Sequence, residues 1–164
     1  MKQGVVCIMK YLKNSDEYFM QQALKEALKS LASADVPVGA IIVKDNKIVA
    51  RSHNERTKDQ TTTSHAEIKA IEKANKKLGS WLLEECTLYS TLEPCPMCAG
   101  TILQARMKRV VFAAKEPKFG SAGSIINLLE NPAFNHQVMV TSGILQDEAA
   151  QLLKDFFQNL RKNK

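Results

Sequence analysis

Apolar residues near the start of the chain recur at the spacing of one helical face. Between residues 15 and about 33 they stand three or four positions apart, which predicts an amphipathic helix. Residues 36–43 then form a continuous apolar run, typical of a strand that is buried on both faces. Asp45 and Asn46 predict a tight turn into a second strand, from residue 47 to about 52.

The remainder of the chain alternates helix-like and strand-like segments. Apolar spacing and breaker residues predict helices over residues 64–78, 96–105, 125–130 and about 145–160, and strands over residues 87–92, 109–114 and 137–141. Pro96 suits the first turn of its helix because its missing N–H would have no partner there. Strands alternating with helices predict an α/β three-layer domain, whose sites tend to lie at the carboxyl ends of strands.

Length and composition predict one folded domain. The chain has 164 residues, 45% of them hydrophobic, without an internal repeat, a low-complexity tract or a Gly/Ser-rich linker. Aromatic residues are only 6%, so aliphatic side chains must fill most of the core. We expect this domain to occupy residues 14–164, after an N-terminal extension of residues 1–13. Met9 could serve as an alternative start, which would make residues 1–8 a dispensable extension.

The net charge and the cysteines indicate the kind of partner and the cellular compartment. The net charge of +6 favours an anionic partner such as nucleic acid, although it would also serve solubility alone. The four cysteines are a poor disulfide framework, because only Cys95 and Cys98 are close in sequence while Cys7 and Cys86 stand apart. Free thiols indicate a reducing, cytoplasmic setting. The apolar run at residues 5–9 is too short for a signal peptide or a membrane span, so we expect no membrane association.

Two short motifs carry the candidate chemistry. His65 and Glu67 form a His-x-Glu pair, and Cys95 and Cys98 follow Pro94 in a Pro-Cys-x-x-Cys sequence. One imidazole and two thiolates are three zinc ligands, which leave one position of a tetrahedral ion open for water. Both motifs fall at predicted helix starts, where backbone N–H groups and the helix dipole favour thiolates. The pattern therefore predicts a single catalytic zinc ion per chain.

Simpler interpretations of the same residues remain open at this point. Ser64 and Glu67 also fit a capping box, in which the glutamate only bonds back to the helix start. Cys86 could complete a structural Cys₃His zinc site. A strand over residues 87–92, rising about 3.3 Å per residue, would however place Cys86 on the order of 20 Å from Cys95. We therefore expect Cys86 to be an ordinary core residue.

A carboxylate beside an open zinc position indicates a reaction. Zinc lowers the pKa of bound water to about 7, and Glu67 can carry a proton from that water to a substrate nitrogen and then to leaving ammonia. This signature is the known one of zinc nucleobase deaminases. The sequence therefore predicts hydrolytic deamination.

At this level of detail the chain resembles bacterial tRNA-specific adenosine deaminases, within the cytidine deaminase-like superfamily. The resemblance runs from about Asn14 to Phe157 and rests on residues 35–40, 65–68, 91–100, 109–112, 120–124, 134–136 and 155–157. It implies a three-layer α/β/α fold with a five-stranded mixed sheet, one Zn²⁺ per chain and a homodimer. It also implies conversion of adenosine to inosine at the wobble position of a tRNA anticodon stem-loop, with the target base flipped into the zinc site.

The resemblance also implies substrate contacts. Asn54 matches an asparagine that hydrogen-bonds the base, whereas its position at a strand end would equally suit a turn residue. The other positions are those expected along the pocket wall, beside the substrate strand and near the anticodon: Pro37, Val38, Gly39, Lys115, Glu116, Lys118, Phe156 and Phe157. From periodicity alone, the two phenylalanines are core residues. Basic residues of the last helix could contact tRNA phosphates or simply be solvated: Lys154, Arg161, Lys162 and Lys164.

Several residues depart from the pattern of this family. Thr62-Thr63-Ser64 stands where Pro-Thr-Ala is common, Pro96 where valine is frequent, and Gln137 where arginine is frequent. The segment Pro-Cys-Pro-Met-Cys, residues 94–98, is similar to the corresponding segment of guanine deaminases. A small-molecule guanine or cytosine/nucleotide deaminase is therefore the alternative hypothesis. A noncatalytic, zinc-stabilised RNA-binding subunit is a third, although it would have no need of Glu67.

Overall fold

The computed structural model describes residues 10–163. Cys7, Lys164, the proposed alternative start at Met9 and most of the predicted N-terminal extension therefore lie outside the described residues. Helix α1 covers Asp16–Lys29 and begins at Ser15, whose hydroxyl accepts a hydrogen bond from the Tyr18 amide at 3.1 Å.

The other elements follow the predicted alternation. A 3₁₀ turn at Ser30–Ser33 extends α1. The remaining helices are α2 (Arg56–Asp59), α3 (Ala66–Leu78), α4 (Pro96–Gln104) and α5 (Gln146–Lys162). The strands are β1 (Gly39–Lys44), β2 (Lys47–His53), β3 (Thr87–Leu92), β4 (Arg109–Ala114) and β5 (Met139–Ser142).

Within the described residues the strands form one five-stranded sheet in the order β2-β1-β3-β4-β5. Strand β1 pairs antiparallel with both β2 and β3, whereas β3, β4 and β5 run parallel. Asp45 and Asn46 form the tight β1–β2 turn, both with positive φ. The predicted five-stranded mixed sheet is confirmed.

Helices cover both faces of this sheet, so the predicted three-layer architecture is confirmed. Side chains alternate along each strand, and one set, including Ile42 and Leu88, packs against α3 and α4. The opposite set, including Ile41 and Val111, packs against α1 and α5. Because both faces of β1 and β4 are buried, these two strands are almost continuously apolar. Among residues 10–163 no helix combines the length and the apolar character that a membrane span requires.

Several predicted elements differ from the structure. Helix α3 begins at Ala66 rather than at residue 64. Residues 36–38 precede β1 because the Val38 amide bonds back to the Val36 carbonyl at 2.9 Å. No helix forms over residues 125–130, since the Ile125 and Ile126 amides both bond to the Gly120 carbonyl. The last strand begins at Met139 rather than at residue 137.

Candidate active site

Two helix starts bring the motif residues together. His65 is the N-cap residue of α3 and Cys95 is the N-cap residue of α4, with Pro96 at the first helical position. His65 Nδ1 lies 3.7 Å from Cys95 Sγ and 3.5 Å from Cys98 Sγ. The three potential ligand atoms lie within 4.8 Å of one another. Within residues 10–163 no other cluster of three or more such side chains has this geometry.

The separations suit a tetrahedral metal ion. Metal–sulfur bonds of about 2.3 Å and metal–nitrogen bonds of about 2.0–2.1 Å place neighbouring ligand atoms roughly 3.6 Å apart. The observed nitrogen–sulfur distances of 3.5 and 3.7 Å agree with that value. The group could therefore hold a metal ion without rearrangement. Cys86 does not belong to it, being 1% exposed within the hydrophobic core.

The two thiols differ in acidity. Hydrogen bonding from Cys98 lowers the pKa of Cys95 to about 4, assisted by His65 and opposed by burial. The pKa of Cys98 is raised because its thiol is committed to Cys95 and is buried. Hydrogen bonding to Cys95 in turn raises the pKa of His65. The site therefore favours a thiolate at Cys95, the form that binds metals.

Glu67 lies in the first turn of α3 and is 4% exposed. Its Oε1 accepts a hydrogen bond from the Ser90 hydroxyl at 3.3 Å, and its carboxyl group lies beside the Cys98 thiol. Burial raises the pKa of Glu67, as is common for groups that exchange protons in catalysis. The capping box is not formed, because His65 is the N-cap residue and the Ser64 hydroxyl donates to Asp59 at 2.9 Å.

His65, Glu67 and Cys95 line the floor of a cavity of about 510 Å³. Its volume falls in the usual range of small-molecule sites, which are mostly apolar with a few polar groups. Phe119 and Phe157 lie on its rim and are 65% and 41% exposed. The remaining wall is Val36, Val38, Asn54, Arg56, Thr62, Ala66, Leu92, Glu93, Pro96, Met97 and Glu116.

Asn54 is buried and faces this cavity, yet its side chain also organises the local backbone. Its amide nitrogen donates to the Val36 carbonyl at 3.0 Å, and its Oδ1 accepts from the Arg56 amide at 3.2 Å. The two sequence-based interpretations, base contact and turn residue, are therefore compatible with one another.

Other residues expected to contact substrate are distributed differently. Val38 and Glu116 line the cavity, whereas Pro37, Lys115 and Lys118 do not. Gly39 also lies outside its wall, because the side where a Cβ would stand faces the backbone of α1.

The prediction that both phenylalanines are core residues is wrong for Phe157, which is exposed at the rim. Phe156 is half-buried, lies outside the wall and packs edge-on against Phe157, with ring centroids 5.3 Å apart.

Sequence reasoning missed several wall residues: Arg56, Thr62, Leu92, Glu93, Met97 and Phe119. Phe119 offered one signal, since it is an aromatic residue in an otherwise polar, glycine-bearing loop. Glu93 offered another, as an acidic residue between a buried strand and the Pro-Cys motif.

Two buried carboxylates hold the loops on either side of the cavity. Asp35 accepts from the Ser33 hydroxyl at 2.7 Å and from the Thr57 and Lys58 amides at 2.6 and 3.1 Å, which fixes the start of α2. Burial raises the pKa of Asp35, but these hydrogen bonds outweigh it and hold the pKa below its usual value. Burial likewise raises the pKa of Glu93, but hydrogen bonds from the loop after β4 outweigh it and hold the pKa below its usual value.

Comparisons with known proteins agree with this site. A model of the MafB19-like deaminase family matches residues 14–161. The tRNA-specific adenosine deaminase of Bacillus subtilis strain 168 is 48% identical over 149 residues, which are 91% of this chain and 92% of that protein. The chain belongs to the family of tRNA-specific adenosine deaminases. The resemblance seen in the sequence is thereby confirmed.

Solved structures of related deaminases share the fold. One, from studies of A-to-I editing by tRNA:A34 deaminases at the wobble position of transfer RNA, is 38% identical with a TM-score of 0.79. That match covers 82% of this deaminase and 98% of the other chain. A guanine deaminase from Bacillus subtilis is 35% identical with a TM-score of 0.61, covering 90% and 94%.

Proposed function

We propose that this deaminase hydrolyses adenosine to inosine at the wobble position of a tRNA anticodon, using one bound zinc ion. The observation that carries the proposal is the buried carboxyl group of Glu67 in one cavity with His65 and Cys95, which form a potential metal site with Cys98. A structural metal site has no use for a buried proton carrier. The similarity to tRNA-specific adenosine deaminases supports the choice of base and of RNA.

His65, Cys95 and Cys98 would hold the zinc ion. When bound, zinc supplies the Lewis acidity that makes water a nucleophile near neutral pH. Glu67 takes a proton from the attacking water and passes it to the N1 atom of adenine, then carries the proton of the new C6 hydroxyl group to the departing amino group. A C6–O bond forms and the bond from C6 to the exocyclic nitrogen breaks, so adenosine and water yield inosine and ammonia.

The wall residues would hold the base for this reaction. Asn54 presents an amide, while Val36, Val38 and Leu92 offer apolar surface to the faces of a purine. A base paired or stacked in RNA cannot reach the floor, so the target nucleotide has to leave its stack. The exposed rings of Phe119 and Phe157 are suited to stack on neighbouring bases. The net charge of +6 would favour approach of the phosphate backbone.

A small-molecule guanine deaminase is the second candidate. The 35% identical guanine deaminase structure favours it. Against it stand the two exposed aromatic residues at the rim, which a free base would not require.

The test is incubation of the zinc-loaded protein with an adenosine-bearing anticodon stem-loop and, separately, with free adenosine, guanine and cytidine. A second stem-loop, with guanosine in place of the target adenosine, is the matched RNA control. We expect inosine only in the adenosine stem-loop. Turnover confined to a free base or nucleoside would overturn the proposal.

Assembly and location complete the proposal. We infer a homodimer that acts in the cytoplasm, on the basis of the family resemblance and the free cysteines at positions 86, 95 and 98. Sedimentation equilibrium should give twice the chain mass at micromolar concentration, and a monomer mass would remove the dimer from the proposal.

A further inference from the structure

Glu93 lies directly after β3, two residues before Cys95, and is 2% exposed. Its Oε1 accepts hydrogen bonds from the Ala122 and Ser124 amides, each at 3.0 Å. Its Oε2 accepts from the Glu116 amide at 3.0 Å and from the Ser124 hydroxyl. Among residues 10–163 no cationic side chain pairs with this carboxylate. Backbone dipoles and one hydroxyl compensate its charge instead.

All the acceptor positions of Glu93 are occupied. A carboxylate offers about four lone-pair sites, and four donors from the loop after β4 use them. The group borders the cavity but has no free lone pair for a substrate or a proton. Its contacts therefore exclude a role as a second proton carrier.

The loop of residues 116–124 is folded around this carboxylate. A Cβ on Gly120 would lie 2.6 Å from Glu93 Oε2, so only glycine allows the backbone this close. The Ser121 amide donates to the Pro94 carbonyl at 2.9 Å, which adds a second attachment beside the metal-binding turn. The loop and the turn that carries Cys95 are thus held as one unit.

This loop supplies Glu116 and Phe119 to the cavity wall and rim. We propose that Glu93 is a positioning residue for substrate, which holds Glu116 and Phe119 in register with the metal-binding turn. The inference rests on the proposed function and deepens it, because it assigns recognition of the RNA around the target base to a wall fixed by Glu93.

The test compares Glu93→Gln with the wild type. Glutamine keeps the size but replaces one acceptor oxygen with a donor that faces two other donors. We expect KM for the stem-loop to rise about tenfold while kcat changes less than about threefold and zinc content stays near one per chain. Hydrogen exchange should accelerate in residues 116–124 and not in α4. Glu130→Gln, the same change at an exposed position, should alter none of these quantities.

A merely structural role predicts a different pattern, in which zinc content, kcat and melting temperature fall together while KM is unchanged. That result, or an unchanged KM in a folded variant, would overturn the inference. Ser124→Ala removes one donor at an exposed loop position outside the sheet and should raise KM in the same direction by about twofold to threefold. Stem-loop binding by Glu93→Gln, measured in a Glu67→Gln background, tests the role of Glu93 separately from catalysis. If the wild-type protein binds the stem-loop but does not deaminate it, the proposed function is contradicted and the inference about Glu93 is not.

Discussion

The Nδ1 atom of His65 lies 3.5 Å from the Sγ atom of Cys98, although the two residues are 33 positions apart in the chain. Each is placed by the first turn of a different helix, and the two helices pack on the same face of the sheet. A metal ion held between them would link α3 to α4 directly. Binding of a metal ion at this position would therefore couple metal affinity to folding stability.

Zinc content should depend on Cys98 and not on Cys86. Cys98→Ser replaces a soft thiolate with a hydroxyl and should reduce zinc from about one per chain to nearly none, measured by elemental mass spectrometry after dialysis. Cys86→Ala is the matched control. It should retain zinc and lose about 1–2 kcal/mol of unfolding free energy, since it truncates a core side chain. Loss of zinc from the Cys86 variant would mean that a third cysteine occupies the fourth position of the metal site.

Glu67→Gln should separate metal binding from catalysis. The amide preserves the shape of the buried side chain but cannot accept a proton, so kcat for the stem-loop should fall by about 10²–10⁴ while zinc content is unchanged. Glu72→Gln makes the same change on the exposed side of α3 and should leave kcat within about twofold of wild type. Near-normal turnover in the Glu67 variant would exclude this residue as the proton carrier.

Gly39 should prove to be a packing residue. A Cβ there would overlap the backbone of Ala23 and Ala27 in α1, which cannot move aside easily. We expect Gly39→Ala to lower the unfolding free energy by about 1–3 kcal/mol in urea titrations. Gly100→Ala in α4 has open space around the new methyl group, so it should be neutral or stabilising by up to about 1 kcal/mol. Unchanged stability with a higher KM in the Gly39 variant would support a place in the cavity wall instead.

The ion pair between Asp16 and Arg109 should make stability depend on pH. Arg109 donates to both carboxylate oxygens at 2.9 and 2.7 Å, and Tyr89 donates to one of them at 2.8 Å. Hydrogen bonding from Arg109 lowers the pKa of Asp16 below its ordinary 3.8, with Tyr89 assisting and burial opposing. This stabilisation is complete above pH 3.8 and is lost as the pH falls through the lower pKa of the folded state.

Asp16→Asn should therefore cost about 1–3 kcal/mol of unfolding free energy at pH 7, and its difference from wild type should narrow below pH 3.8. Urea unfolding of both proteins at pH 7 and again below pH 3.8 measures the loss of unfolding free energy and its decrease with pH. Glu17→Gln, at the next position of α1, should show no comparable loss at pH 7. A constant difference between the Asp16 variant and wild type at both pH values would show that the charge of Asp16 contributes nothing.

Stacking at the rim is tested by Phe119→Ala. Loss of one aromatic ring should raise KM for the stem-loop about tenfold, because base–aromatic stacking contributes about 1–3 kcal/mol per base. Trp81→Ala removes a ring that is also 65% exposed but lies outside the cavity wall, and it should leave KM unchanged. Equal KM values for the two variants would remove Phe119 from substrate binding.

The parts of the fold that depend on local pattern were predictable. Strands β3 and β4 have the predicted bounds, and burial on both faces makes residues 110–114 of β4 continuously apolar. The motif spacing likewise identified His65, Cys95 and Cys98, which the structure brings together. In these cases neighbouring residues carry the whole signal.

Other features depend on contacts that no local pattern encodes. Residues 125–130 have helix-like spacing, yet they form no helix. The Ala122 and Ser124 amides before them donate to Glu93, and the first two amides of the segment itself donate to the Gly120 carbonyl. Phe157 stands at core spacing in α5, but its position in the helix places it over the cavity rim rather than over the sheet. Gly39 is required because the backbone of α1, which lies earlier in the chain, packs directly against it.

The position of Phe157 in the last helix also sets the order in which the protein can become functional. The metal-binding side chains are all present once α4 has been synthesised, whereas the rim is complete only after β5 has paired with β4 and α5 has docked. A chain truncated before α5 would contain all three potential metal ligands but would lack Phe157, and with it part of the cavity wall. Because domains generally fold as units, we expect the complete site to form only when the whole chain has been synthesised.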